Sequence, residues 1–112
     1  MNENDETRLK HMLEASRSAL AFAEGRTRPM LETDEMFAFA LVRAIEIVGE
    51  AAARVTQSTR ELYPQIPWKN ITGMRNKIVH DYFDVDYDVV WETVRLRLPE
   101  LISELEKIVP LE

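Results

Sequence analysis

The chain has 112 residues, of which 46% are apolar and 30% charged, with a net charge of −6 and no cysteine. That length makes one domain with a proper core, and the missing thiols exclude disulfides, a cysteine nucleophile and thiolate-bound zinc. Only three glycines argue against a loop-rich or β-rich design, and the acidic balance disfavours indiscriminate attachment to nucleic acid.

Met1 to Lys10 is polar and lacks the apolar core of a signal peptide, and the longest apolar run, Met36 to Val42, is too short to span a bilayer. A cytoplasmic protein with no membrane contact is expected. Leu9, Met12, Leu13, Ser16, Leu20 and Ala23 recur at spacings of three and four, predicting a first helix over residues 5–24, with Asn4 or Asp5 as cap and Gly25 as stop. His11 on this helix reads as a surface or dimer-contact residue. After a turn containing Pro29, Thr33 or Asp34 caps a second helix running to about Thr56. Phe37, Leu41, Ala44, Ile45, Val48, Ala51, Ala52 and Val55 give it a broad apolar face, so it should be central.

Within that helix Gly49 interrupts a strong helix-forming run at a cost of about 1 kcal/mol, which points to a close helix crossing. Arg43, Glu46 and Glu50 lie on one stripe. They form either an exposed ion-pair ladder or a support for a functional site, and spacing alone does not separate these.

Pro67 suits the first turn of a third helix, whose buried side is Trp68, Ile71, Met74 and Ile78. This helix should end near Tyr82, because Phe83-Asp84-Val85-Asp86 reads as a turn with a fresh cap. Val90, Trp91, Val94, Leu98, Leu101, Ile102, Leu105 and Ile108 then mark a last helix. Pro99 lies inside it, which predicts a kink near Arg95 to Leu98 or two helices there. No segment alternates with period two over a strand's length. The expected fold is all-α, an up-and-down bundle of four to five helices forming one domain over residues 1–112.

Chemistry gathers in Gly73-Met74-Arg75-Asn76-Lys77-Ile78-Val79-His80-Asp81-Tyr82. No Asp or Glu occurs from Leu62 to His80, and Lys69, Arg75 and Lys77 make the segment +3, leaving −9 on the remainder of a chain whose total is −6. A basic island in an acidic protein suits a small site for a polyanion. On an ideal helix Asn76 and His80 would stand about 40° apart, but Arg75 and His80 about 140°. One phosphate could meet both if Arg75 wraps around, if the helix loosens near His80, or if a second copy contributes. A site at a helix end or a dimer seam is the expectation.

Arg75-Asn76, His80 and Asp81-Tyr82 also resemble the Arg-x4-His-x-Tyr motif of the HepT-like family of HEPN-domain ribonuclease toxins. The similarity extends to Arg8-Leu9 and His11-Met12-Leu13-Glu14, to the run Arg43 to Ala52, to Pro64-Gln65-Ile66-Pro67-Trp68, to Val90-Trp91 and to Leu98-Pro99. This resemblance implies a HEPN-like, homodimeric, metal-independent endoribonuclease without cofactors. It further implies a toxin of a type VII-like toxin–antitoxin system, whose cognate minimal nucleotidyltransferase antitoxin silences it by attaching AMP to the motif tyrosine, here Tyr82.

The residue chemistry is compatible. A histidine such as His80 can move the proton of a ribose 2′-OH or of the leaving 5′-oxygen, and Arg75 can bind two phosphate oxygens and stabilise charge developing on phosphorus. Asn76 would orient His80 or the phosphate, Tyr82 would touch RNA near the scissile bond, and Lys69 and Lys77 are candidate RNA-backbone contacts. No matched His/carboxylate cluster accompanies the motif, so no metal site is expected. The alternative reading is a non-catalytic HEPN dimer that binds a nucleotide or its partner transferase.

Overall fold

The computed structural model describes residues 1–81 and 84–109. The chain runs through α1 (Glu3–Ala23), α2 (Met30–Thr33), α3 (Glu35–Ala53), α4 (Gln57–Leu62), α5 (Trp68–Thr72), α6 (Met74–Ile78), strands β1 (Val79–Asp81) and β2 (Asp84–Val85), α7 (Tyr87–Glu92), a π-helical turn (Thr93–Arg97) and α8 (Leu98–Ile108). The architecture is the expected all-α bundle. Helix α3 is its centre, packing against α1, α2, α5 and α6, while α1 also packs against the π turn and α8. All eight apolar residues assigned to the inner face of the second helix are buried, and Leu9, Met12, Leu41, Val48, Val90, Val94, Leu98 and Leu105 are completely so. Each such Leu or Val stabilises the fold by about 1.5–3 kcal/mol.

Helix ends follow local chemistry. Asp34 and Asp86 cap α3 and α7 as expected, accepting from Phe37 N and Val89 N at 3.1 Å each. Gly25 stops α1 with φ of 73°, a left-handed conformation that a Cβ would strain. The cap of α1, however, is Asn2 rather than Asn4 or Asp5: Asn2 Oδ1 accepts from Asp5 N at 2.7 Å.

Asp5 instead turns inward. Buried, it accepts from Thr56 N at 3.1 Å, Thr56 Oγ1 at 2.5 Å and Thr59 Oγ1 at 2.6 Å, tying α1 to the start of α4. Burial pushes its carboxyl up, but the hydrogen bonds from Thr56 and Thr59 together outweigh this and hold it below the usual range.

Helix α4 falls between the expected second and third helices, where no element was expected. Its Arg60 donates to Ala52 O at 3.0 Å and Val55 O at 3.1 Å, satisfying carbonyls at the α3 C-terminus. The same guanidinium lies over Trp68 at 5.8 Å. Trp68 Nε1 donates to Tyr63 O at 3.1 Å, which fixes the start of α5. Pro67 stands just before that helix rather than in its first turn.

Pro99 is accommodated as a π turn. It cannot donate to Arg95 O and its ring would crowd that carbonyl, so the ladder widens by one residue over Thr93–Arg97 and Leu98 N bonds Thr93 O. The helix continues through the irregularity, with Pro99 in the first turn of α8. No helix among the described residues is long and apolar enough to cross a membrane.

Candidate active site

The third helix differs most from expectation. It breaks at Gly73, resumes as α6 and ends at Ile78, four residues short of Tyr82. Val79 and the residues after it pair back instead: Val79 opposes Val85, Asp81 opposes Asp84, and Asp86 N donates to Ile78 O at 2.8 Å. The ideal-helix angle between Asn76 and His80 therefore does not apply. The helix has ended before His80, which lies on β1 just beyond it.

Arg75, Asn76 and Lys77 are exposed on α6 and His80 is exposed on β1, whereas Met74 and Ile78 anchor the segment in the core. Tyr82, read as the modified residue, lies outside the described residues. No described residue hydrogen-bonds the His80 ring. Lys69 is exposed on α5.

Arg75 is held from α3. Its Nε donates to Glu46 Oε2 at 2.9 Å, the arginine side chain being 53% exposed and the glutamate 22%. Arg43, one turn earlier, pairs with Glu50 at 3.4 Å. The stripe of three charges thus divides: Arg43 and Glu50 form the exposed ladder, and Glu46 reaches the motif. Gly49 lies one turn further along α3. A Cβ there would sit 3.2 Å from Ile71 O, so the glycine lets α3 and α5 approach closely, as the sequence suggested.

Lys77 lies on another side of α6. It lines a cavity of 730 Å³ between α5–α6 and the π turn with α8, floored by Ile71, Met74 and Leu98. Arg75, Asn76 and His80 do not line it, and Glu92, Glu100 and Glu104 outnumber the cations Lys77 and Arg97. Size alone would nominate this cavity, but its charge is wrong for a polyanion. The exposed motif is the better candidate.

On the outer stripe of α3, Met36 is 83% and Phe39 65% exposed, at helical spacing with Arg43, Glu46 and Glu50. Two exposed apolar side chains therefore continue into the charged stripe that includes Glu46, the partner of Arg75. Among the described residues, no three His, Asp or Glu side chains gather as a set of metal ligands.

Comparison with known proteins adds family information. A family model described as ribonuclease HepT-like matches residues 12–108. The chain is 48% identical over 71 residues to a Methanocaldococcus jannaschii protein provisionally named an RNase, covering 63% of this chain and 59% of that one. It is 35% identical over 104 residues, 93% of each chain, to a provisionally named RNase of Caldanaerobacter subterraneus subsp. tengcongensis. Over 75 residues, 67% of this chain and 68% of the other, it is 41% identical to a Thermococcus cleftensis protein provisionally named ribonuclease HepT. The matched stretches span about three fifths of two M. jannaschii relatives, 59% of one and 61% of the other. No solved structure gives a significant match.

Proposed function

The chain belongs to the HepT-like ribonuclease family, and from that premise we propose that it is a metal-independent endoribonuclease acting through Arg75 and His80 in one HEPN-like domain. The observation that carries this reading is the placement of the motif: an arginine braced through Nε with about half of its side chain exposed, five residues before an exposed histidine just past a helix end. His80 takes the proton of the ribose 2′-OH as that oxygen attacks phosphorus. A proton returns to the 5′-oxygen as the P–O bond to it breaks. The terminal nitrogens of Arg75 bind the non-bridging oxygens, where negative charge grows. Asn76 orients the phosphate or His80, and Lys69 meets a backbone phosphate beside the site, whereas Lys77, turned to the glutamate-lined cavity, is not part of this contact.

The working unit we propose is a homodimer. Met36 and Phe39 supply an apolar contact beside Arg43 and Glu46, and a second copy there would bring two basic segments to one groove. A monomer by sedimentation at micromolar concentration that still cleaves RNA would refute this.

Regulation rests on Tyr82. In the type VII-like toxin–antitoxin arrangement, its phenol oxygen attacks the α-phosphate of ATP on a cognate minimal nucleotidyltransferase antitoxin, pyrophosphate leaves, and the added AMP blocks and repels RNA. Mass spectrometry of the Tyr82 peptide after incubation with that transferase and ATP tests it. Silencing without added AMP would instead favour inhibition by steric binding.

The deciding experiment is RNA cleavage in the presence of EDTA by wild type and by His80→Ala. Cleavage by wild type alone supports the reading. RNA binding without turnover by both would favour the non-catalytic binding dimer.

A further inference from the structure

We propose that Glu46 is a positioning residue for the arginine, setting which edge of the Arg75 guanidinium meets the phosphate. The inference rests on the ribonuclease reading above. Arg75 stands on a helix of five residues with no side-chain cap, and its own stem leaves the head group many rotamers. Glu46, by contrast, sits in mid-α3 between Ile45 and Val48, which are 1% and 0% exposed, one turn before the Gly49 crossing with Ile71. The rigid helix thereby fixes the mobile side chain.

A guanidinium offers two edges to an oxyanion: one through Nε and one through its two terminal nitrogens. Glu46 Oε2 takes Nε at 2.9 Å. The terminal pair is left for two phosphate oxygens. The same carboxylate places a negative charge beside the bound phosphate, so it opposes simple RNA binding while favouring correct orientation. Those opposed effects separate positioning from mere structural support.

The test compares wild type, Glu46→Ala, Glu46→Gln and Arg75→Ala on single-stranded RNA of mixed sequence. Binding is read in parallel with the same RNA carrying 2′-O-methyl groups, which cannot attack. Glu46→Ala should lower kcat on the order of 10- to 100-fold, the effect of a misplaced catalytic group. Binding of the methylated RNA should stay equal or tighten. Glu46→Gln should recover most of kcat, because its amide oxygen still accepts from Nε–H. Unchanged thermal midpoints show that the variants fold, as expected for a pair half open to water.

Wild-type kcat in Glu46→Ala, or a loss that merely tracks weaker RNA binding, would overturn the inference. So would a Glu46→Gln as slow as Glu46→Ala. If wild type cleaves and Arg75→Ala does not, those results sink the role of Glu46 alone. If wild type cleaves no RNA, the ribonuclease reading fails and this inference goes with it.

Discussion

The α1–α3 pair and the stretch from α5 to β2 solve opposite problems. The pair consists of two uninterrupted helices of 21 and 19 residues whose inner faces form the middle of the core. The motif stretch is two five-residue helices and a short hairpin, pinned by Trp68, Ile71, Met74 and Ile78, with its polar side chains outside. Regular backbone buries surface most economically, whereas chemistry at the surface needs side chains aimed independently of a 3.6-residue repeat. On the proposed reading the catalytic side chains belong to the irregular part, while the regular part supplies stability and, through Glu46, support.

Substitution should expose that division most sharply at the motif. Arg75→Ala or His80→Ala is expected to reduce cleavage on the order of 10²- to 10⁴-fold, with thermal midpoints close to wild type, because neither side chain is buried. The proposed pairing requires the double variant to be little worse than either single one, because losses from two groups that act on one transition state do not add. Additive losses, measured as kcat/KM, would break the pairing of Arg75 with His80.

Asp5 tests the other half. Asp5→Ala leaves the buried Thr59 hydroxyl without its acceptor and removes the two bonds from Thr56, and should destabilise the fold by about 3 kcal/mol, with cleavage per folded molecule intact. The pH dependence has a definite sign. The folded carboxyl titrates below the unfolded value near 3.8, so its contribution is complete above that value and is lost as pH falls through the folded pKa. Urea unfolding followed down into that acid range should show wild type losing stability that Asp5→Asn never had. Parallel curves would remove Asp5 from the account.

Gly49 joins the two regions. Gly49→Val would push a branched side chain into Ile71 O, and should cost about 1–3 kcal/mol through overpacking. It should also slow cleavage beyond what the unfolded fraction explains, because α3 carries the carboxylate that holds Arg75. Stability loss with full specific activity would mean that the two regions are mechanically independent.

The same contrast governs what could be read from the residues alone. Periodicity identified the inner faces of α1, α3 and α8, and the caps Asp34 and Asp86 followed from residue type. Periodicity failed over Val79 to Val85, where three- and two-residue strands are too short to show an alternation. Asp5 resembled a cap because it is an acid at a helix start, and only tertiary structure reveals Thr56 and Thr59 as its partners. Helix α4 has one buried residue, Thr59, and so no apolar stripe to announce it. At the site, residue types nominated Arg75, Asn76 and His80, but the pairing of Arg75 with Glu46 joins positions 29 apart in sequence. Only the stripe of Arg43, Glu46 and Glu50 hinted at it.

The smallest expected effect lies in the regular half and runs against the usual direction. Ser16 is completely buried among the apolar residues of α1, and among the described residues its Oγ has no hydrogen-bond partner. A buried hydroxyl left unpaired costs roughly 1–3 kcal/mol, and alanine is the better helix former by a few tenths. Removing one oxygen opens little space, so the cavity penalty is minor. Ser16→Ala should therefore raise stability by about 1 kcal/mol, visible as a midpoint roughly 4 °C higher in a thermal melt, with cleavage unchanged. A lower midpoint would show that the hydroxyl finds a partner, for which the Met12 carbonyl four residues earlier is the natural acceptor. The periodic half would then owe part of its stability to a polar contact that spacing cannot display.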